Sequence, residues 1–302
     1  MTHRLCIIGF GEAGAIFSVA LARHVPVRSY DILQGTPAFK KKVAKFAGSG
    51  IEFAVSAAEA AEGAQLVLSL VTAAASLDVA SEAAAYLNPG QIFLDLNSVS
   101  PGTKKTNAAL VERSGAAYVD GAIMAPVPSR ALAVPILLAG NHASSVVGAL
   151  GGYGMNLEIV SDKVGVAAAT KMCRSVIIKG IEALCSEAFL AARAHGVESR
   201  VLASLNDTFP GTDWNKYAGY QVGRSLVHGR RRAAEMREVA TTVREAGLDP
   251  LMAMATAFRQ DWAADLSDSD PALKKRHDDE WLETLDLILA AGTGGHVRAT
   301  GT

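Results

Sequence analysis

The chain has 302 residues, of which 50% are hydrophobic and 20% charged, and its formal net charge at pH 7 is -1. This length allows one large domain or two ordinary domains with a full core. The balanced charge argues against a nucleic-acid or membrane-surface binder, and no apolar stretch predicts a membrane span. Cys6, Cys173 and Cys185 lack the spacing of a metal site or disulfide framework. We therefore expect a cytoplasmic globular protein.

The first half of the chain alternates short apolar runs with helical patterns. Strands are predicted at Leu5–Ile8, Val25–Tyr30, Gln65–Leu70, Gln91–Leu94, Ala116–Val119 and Pro135–Ala139, and helices at Ala13–His24, Pro37–Phe46 and Ala73–Leu87. Strands that alternate with helices indicate parallel βαβ units and a doubly wound sheet. We expect this α/β domain to cover residues 1–162.

The second half shows helical periodicity and no convincing strand. Helices are predicted at Val164–His195, Ser199–Leu205, Trp214–Val227, Arg230–Ala246, Pro250–Trp262 and Pro271–Ala291. The pattern predicts an all-helical domain over residues 163–302.

The first predicted strand leads into a turn of G-x-G-x-x-G spacing, and a predicted helix follows. The turn consists of Gly9, Phe10, Gly11, Glu12, Ala13 and Gly14. Gly9 allows a tight turn, Gly11 leaves room for a pyrophosphate, and Gly14 lets the helix pack closely on the strand. The N–H groups at the helix N-terminus attract phosphate. The pattern favours a dinucleotide-binding Rossmann unit over a tight turn without a ligand.

An acidic residue follows the second predicted strand. Asp31 lies 22 positions after Gly9 (31 − 9 = 22), where a carboxylate can accept hydrogen bonds from the ribose hydroxyls of adenosine and repel a 2′-phosphate. It predicts NAD rather than NADP as the cofactor, unless Asp31 is only a surface acid. Arg28 lies upstream in the strand and is not expected to bind a 2′-phosphate.

Polar loops follow two later strands, where ligands bind in sheets of this kind. The first loop spans residues 95–101 and the second spans residues 119–130. Lys171 lies near the start of the long helix in an Ala-rich segment, with Arg174, Ser175 and Lys179 along the same predicted face. Desolvation in such a segment can convert a lysine into a general base, but the spacing alone equally allows a lysine on a solvated surface helix.

Four blocks in this order resemble the 3-hydroxyacid dehydrogenase superfamily, which includes 3-hydroxyisobutyrate and 6-phosphogluconate dehydrogenases. The blocks are the glycine turn, the loop 95–101, the loop containing Pro126-Val127, and Gly165-x(5)-Lys171. The resemblance covers nearly the whole chain. It implies a dehydrogenase in which Lys171 is the general acid/base.

The same resemblance assigns roles to other residues. It implies that Ser98 holds the substrate carboxylate or a hydroxyl, with Asn97 beside it at the cofactor and the substrate. It places Val71 and Thr72 at the nicotinamide pocket. It further implies that the helical domain supplies a substrate pocket and a homodimer interface.

The chain departs from the family pattern around the substrate. Pro128–Arg130 replaces the family's Ser-Gly-Gly, so that only Ser129 keeps a comparable hydroxyl. Arg130 is either a carboxylate ligand or a solvated loop residue. Ser175, preceded by Arg174, stands where the family has asparagine. The substrate is therefore expected to differ from hydroxyisobutyrate.

The segment 228–236 resembles a subfamily with an uncharacterised phosphogluconate-dehydrogenase-like C-terminal domain. Glu235 stands in the region of the family's acidic substrate contact, and Arg231 or His228 is expected to supply positive charge. The alternative is that the arginines at 230–232 form an exposed basic helix start.

The sequence as a whole predicts an NAD-dependent dehydrogenase of a small anionic 3-hydroxy acid, with no metal, nucleic-acid or membrane partner. Alternatives are a reductase of a carbonyl or imine on the same scaffold, and a non-catalytic NAD-binding sensor.

Overall fold

The computed structural model describes residues 4–275 and 278–290. The chain divides into two compact units between Met172 and Cys173, inside a continuous helix and further along the chain than the expected boundary at residue 162. The predicted helix Pro271–Ala291 lies partly outside the described residues, at 276, 277 and 291. We describe each unit by itself.

Unit 1 contains a single eight-stranded sheet. Its strands are β1 (Arg4–Ile8), β2 (Val27–Tyr30), β3 (Ile51–Phe53), β4 (Ala64–Ser69), β5 (Ile92–Asp95), β6 (Ala117–Ile123), β7 (Pro135–Ala139) and β8 (Asn156–Ser161). The spatial order is β3-β2-β1-β4-β5-β6-β7-β8, and every neighbouring pair is parallel except β6 and β7. The predicted doubly wound, mostly parallel sheet is confirmed.

The central strands of this sheet are buried on both faces, as expected for parallel strands covered by helices. Leu5 and Ile7 of β1 belong to one hydrophobic cluster, while Cys6 and Ile8 belong to a second cluster. The alternation follows from the two-residue repeat of a strand. Because β1, β4 and β5 pair in parallel, their carboxyl ends lie at the same edge of the sheet.

Seven α-helices begin in the described part of unit 1. They are α1 (Glu12–Leu21), α2 (Pro37–Val43), α3 (Ala57–Ala61), α4 (Ser76–Tyr86), α5 (Pro101–Val111), α6 (Ala143–Leu150) and α7 (Val166–Ala194). Sequence reasoning missed α3, α5 and α6, although α5 carries a clear start signal: Ser100 caps the amide of Thr103, and Pro101 is its first residue. The missed strands β3 and β8 are, respectively, very short and largely exposed.

Unit 2 is all-helical over its described residues. It contains the rest of α7, then α8 (Glu198–Thr208), α9 (Trp214–Glu245), α10 (Leu251–Ser269) and α11 (Trp281–Ala290). The prediction of two helices at Trp214–Val227 and Arg230–Ala246 is wrong, because α9 runs through both. The predicted helix from Pro271 is interrupted as well, since short 3-10 turns precede α11.

Gly229 lies at the break that the sequence predicted within the continuous helix α9. A Cβ atom on Gly229 would lie 2.5 Å from the carbonyl oxygen of Gln260 in α10. The glycine therefore allows two helix backbones to approach closely, and does not end a helix. None of the helices in the described part of the chain combines the length and hydropathy that a membrane span requires.

Candidate active site

The glycine turn after β1 has the geometry that a dinucleotide requires. Gly9 has φ +96°, and a Cβ there would lie 2.4 Å from the carbonyl oxygen of Leu70. A Cβ on Gly14 would lie 1.9 Å from the carbonyl oxygen of Gly9, whereas a Cβ on Gly11 would meet nothing within 4 Å. The first and third glycines are thus required by packing, and the second leaves an open cradle.

The N-terminus of α1 faces this cradle without a side-chain cap. Gly11 is the N-cap residue and makes no side-chain hydrogen bond, while Glu12 and Ala13 begin the first turn. Uncapped N–H groups and the helix dipole attract phosphate oxygens. The open cradle and the uncapped helix fit a dinucleotide pyrophosphate.

Asp31 lies beside the same turn and is held by the backbone. One carboxylate oxygen accepts the N–H of Phe10 at 2.7 Å, and the other accepts the N–H of Leu33 at 2.9 Å. Each oxygen keeps a further lone pair for a ribose hydroxyl. The Phe10 ring is buried in the core, so this residue offers the site only its backbone.

Asn97 ties the loops after β4 and β5 together. Its Oδ1 accepts the N–H of Val71 at 2.7 Å, and its Nδ2 donates to Ser69 at 2.9 Å and Ser76 at 3.3 Å. The predicted nicotinamide-pocket residues Val71 and Thr72 follow β4 directly. The buried Asn97 amide therefore fixes Val71 rather than extending into open space.

Ser98 and Lys171 come together although 73 positions separate them in the chain. The Lys171 Nζ donates a hydrogen bond to the Ser98 Oγ at 2.5 Å. Both side chains are partly buried, so Lys171 does not extend into solvent from an exposed helix. An amine fixed beside a hydroxyl is suited to exchange a proton with a bound alcohol.

A buried charged cluster that the sequence did not reveal lies behind this pair. The Lys104 Nζ, on α5, lies 2.9 Å from Asp95 Oδ1 and 3.4 Å from Asp120 Oδ1, and all three side chains are 0% exposed. Asp95 also accepts hydrogen bonds from the Tyr118 hydroxyl at 2.7 Å and from Asn107 at 3.0 Å. The signal available in the sequence was an acidic residue in each of two neighbouring strands. Acidic residues are rarely buried in a sheet unless a cation pairs with them.

The cluster connects the two halves of the Ser98–Lys171 pair. Asp95 accepts the N–H of Asn97 at 2.9 Å, one residue before Ser98. Asp120 Oδ2 accepts the N–H groups of Gly165 at 3.0 Å and Ala168 at 3.1 Å, at the start of α7. Lys104 thus joins the acid that holds the Ser98 loop to the acid that holds the helix of Lys171.

The altered loop at residues 128–130 is exposed. Ser129 donates to the carbonyl of Pro126 at 3.1 Å, so its hydroxyl is used within its own turn. Arg130 is also exposed. Ala131, at φ +47°, is the non-glycine residue that takes a left-handed conformation in the described part of the chain.

The predicted substrate residues of unit 2 form a chain of polar contacts. The Lys179 Nζ donates to Ser175 Oγ at 3.2 Å and lies 2.9 Å from Glu235, which also pairs with Arg231 at 2.7 Å. Ser175 and Lys179 are buried. Arg174 is exposed, so it does not share their buried face as the spacing had suggested.

The three adjacent arginines of α9 have three different environments. Arg230 pairs with Asp265 and Asp268 of α10, Arg231 pairs with Glu235, and Arg232 is buried against Glu182 at 2.6 Å. They lie in the middle of α9, so the expectation of an exposed basic helix start is wrong.

His228 is not the source of positive charge in this region at neutral pH. Burial and the neighbouring Arg231, Arg232 and Arg224 lower the pKa of His228 to about 4. Of the two candidates, Arg231 therefore carries the charge next to Glu235.

Two cavities lie at separate places in the described part of unit 2. Asp213, Trp214 and Tyr217 line a cavity of about 730 Å³, and Arg231 and His228 line another of about 280 Å³.

The chain resembles solved structures over nearly its full length. It is 37% identical to a conserved hypothetical protein from Sinorhizobium meliloti 1021, covering 94% of this chain and 96% of that one with a TM-score of 0.74. It is 30% identical to the conserved protein MTH1747, which is described as structurally similar to 3-hydroxyacid dehydrogenases, covering 89% and 99% with a TM-score of 0.68. This chain belongs to the 3-hydroxyacid dehydrogenase superfamily.

Two family models match separate segments of this chain. Residues 4–144 match the NAD binding domain of 6-phosphogluconate dehydrogenase, so unit 1 contains an NAD(P)-binding domain. Residues 192–263 match a domain of unknown function, DUF1932. The chain is also 24% identical to the mitochondrial 3-hydroxyisobutyrate dehydrogenase of Rattus norvegicus, over 69% of this chain and 62% of that one.

Proposed function

We propose that this protein is an NAD-dependent dehydrogenase that oxidises the hydroxyl of a small anionic 3-hydroxy acid. The observation that carries the proposal is the 2.5 Å hydrogen bond between Lys171 and Ser98, in the unit that contains the glycine turn. A nucleotide-sensing protein needs the cradle but has no use for a fixed amine–hydroxyl pair. A relative in the same superfamily, the rat dehydrogenase, is named for a 3-hydroxy acid.

The candidate site residues of unit 1 have distinct tasks in this reaction. The cradle at Gly11 and the N-terminus of α1 bind the pyrophosphate. The nicotinamide cofactor supplies the hydride acceptor when it is bound. Lys171, as the free amine, takes the proton of the substrate hydroxyl, and Ser98 donates or accepts the hydrogen bond that orients the substrate. In the reverse direction, Lys171 returns that proton to the carbonyl oxygen.

Asp31 supports NAD as the preferred cofactor. Its carboxylate is fixed by two backbone N–H groups beside the glycine turn. Replacement by alanine is expected to lower the preference for NAD over NADP, as measured by the ratio of the two kcat/KM values. An unchanged ratio would remove Asp31 from the cofactor site.

The substrate class rests on the departures from the family. Pro128–Arg130 replaces the Ser-Gly-Gly segment, and unit 2 presents Arg231 beside Glu235 and Lys179. The changed loop of unit 1 argues against hydroxyisobutyrate itself. The charged groups of unit 2, taken by themselves, favour an anion that carries hydroxyls. The Glu235 carboxylate can accept hydrogen bonds from substrate hydroxyls, and the Arg231 guanidinium attracts the substrate carboxylate.

A panel of small 3-hydroxy acids, assayed with NAD and NADP by nicotinamide absorbance, tests the proposal. The Lys171→Ala variant is expected to lose about 10²–10⁴-fold in turnover while it still binds NADH. Lys163→Ala, at an exposed lysine just before α7, is the matched control and keeps wild-type turnover. Wild-type turnover in Lys171→Ala contradicts the assignment, and NADH binding without turnover of any acid, carbonyl or imine favours the sensor.

We also propose that the protein is a homodimer through unit 2. Ile177 and Leu184 of α7 are 64% and 57% exposed, and apolar residues continue along this face at 181, 188 and 191. Alternating steps of three and four residues form the seam by which two helices pair. A second copy offers the same seam.

A further inference from the structure

Asn107 is a buried polar residue of α5 to which the proposed reaction gives no task. It is 0% exposed, and its Nδ2 donates hydrogen bonds to Ser76 Oγ at 2.9 Å and to Asp95 Oδ2 at 3.0 Å. An amide NH2 group has two N–H donors, so this group is fully used. Burial of an amide is costly unless it is hydrogen-bonded. Asn107 is therefore held between one acceptor at the start of α4 and another at the end of β5.

Ser76 closes the loop at residues 71–75, which follows β4. It is the first residue of α4, it is 1% exposed, and its hydroxyl also accepts a hydrogen bond from Asn97 Nδ2 at 3.3 Å. Asn97 Oδ1 holds the other end of the loop, because it accepts the N–H of Val71 at 2.7 Å. Val71 and the exposed Thr72 are the residues expected at the nicotinamide pocket. Buried side chains thus fix both ends of this loop.

Asp95 lies on the other side of Asn107 and has stronger support. It accepts the Tyr118 hydroxyl at 2.7 Å and the N–H of Asn97 at 2.9 Å, and its carboxylate lies 2.9 Å from the Lys104 ammonium. Asp95 keeps these partners if the Asn107 amide is removed. Ser76 then keeps the longer hydrogen bond from Asn97. The loop at residues 71–75 therefore depends on Asn107 more than Asp95 does.

We propose that Asn107 is a positioning residue for the nicotinamide. Its amide ties Ser76 to the fixed Asp95, and so it sets the position of the loop at residues 71–75 relative to the Ser98 loop. Hydride transfer requires reacting atoms about 3–3.5 Å apart, so this relative position matters for the reaction. Without the amide, the loop loses contacts with the nicotinamide, while the glycine turn after β1 keeps those with the pyrophosphate. The inference rests on the proposed function.

A pair of ligands that differ in the nicotinamide tests this role without catalysis. Binding of NADH and of ADP-ribose, which lacks the nicotinamide, is measured by isothermal titration calorimetry. Asn107→Ala is expected to bind NADH about three- to ten-fold more weakly, as the loss of one hydrogen bond implies, and ADP-ribose within about two-fold of the wild type. Thr106→Ala, at the exposed neighbour on α5, is the matched control and binds both ligands as the wild type does.

A second variant tests whether Asn107 acts through Ser76. Ser76→Ala is expected to weaken NADH binding and spare ADP-ribose binding in the same way. The double variant Asn107→Ala/Ser76→Ala is expected to be no weaker than the weaker single variant, because both changes remove the same hydrogen bond. Thermal melting curves establish that every variant is folded.

Other outcomes decide against the positioning role. Wild-type NADH binding in Asn107→Ala overturns the inference, and so does equal weakening of NADH and ADP-ribose, which indicates a general structural role. Fully additive losses in the double variant show that Asn107 does not act through Ser76 and overturn it as well. A wild type that binds neither ligand contradicts the proposed function itself.

Discussion

Replacement of Lys104 by methionine tests whether the buried cluster behind the candidate site holds unit 1 together. Lys104 is 0% exposed and lies 2.9 Å from Asp95 and 3.4 Å from Asp120. Methionine keeps the length of the side chain and removes its charge and donors. The variant therefore leaves two buried carboxylates without their shared cation.

The expected loss of unfolding free energy depends on the hydrogen-bond donors that each carboxylate retains. Breaking a buried ion pair by removing one partner costs about 3–5 kcal/mol. Asp95 keeps the hydroxyl of Tyr118, and Asp120 keeps two backbone N–H groups at the start of α7. These remaining donors place the loss of unfolding free energy near the lower end, at about 3 kcal/mol.

Urea unfolding of the wild type and the variant measures this loss. Lys105→Met is the matched control, because Lys105 is the exposed neighbour on α5 and its replacement is expected to change stability by no more than about 0.5 kcal/mol. Turnover of Lys104→Met is expected to fall as well, because the Ser98 loop and the start of α7 lose their common tie. A loss below about 1 kcal/mol would refute the role given to the cluster.

Three further predictions concern unit 2. Gly229→Ala is expected to lower the unfolding free energy by about 1–3 kcal/mol, because the new Cβ lies 2.5 Å from the Gln260 oxygen. The control is Gly148→Ala in α6, where the new Cβ meets nothing within 4 Å. This control is expected to raise the unfolding free energy by up to about 1 kcal/mol. The pKa of His228 is lowered from 6.5 to about 4 in the folded chain. Between these two pH values the unfolded chain therefore binds a proton at His228 and the folded chain does not. Stability should therefore fall by about 1–2 kcal/mol as the pH decreases from 6.5 to 4, and His228→Gln should lose this part in pH-dependent denaturation. Leu184→Asp should convert the proposed dimer to a monomer in light scattering; a monomeric wild type contradicts the dimer.

Local patterns predicted the elements that depend on near neighbours in the chain. The turn at Gly9–Gly14 and the long helix α7 are visible in the sequence because glycine spacing and helical periodicity act over a few residues. The same reasoning failed at Gly229, where a local helix-break signal has a tertiary cause. The backbone of α10, some thirty residues further along, decides why glycine stands there.

The candidate site shows the same difference between what local patterns predict and what depends on the tertiary structure. A family resemblance named Lys171 and Ser98, and the fold then placed them 2.5 Å apart across 73 positions. No local pattern marked Lys104, since a lysine on an amphipathic helix resembles any solvated lysine until its neighbours are known. Its burial between Asp95 and Asp120 depends on the pairing of β5 with β6.

The sequence by itself determined the doubly wound sheet, the helical second unit, the glycine cradle and the acid that follows β2. Only the tertiary structure decided which charges are buried together and which arginine of α9 pairs with Glu235. The physical reason is range: propensity and periodicity are encoded within a turn or a strand, whereas burial and ion pairing depend on segments that meet only after the chain has folded.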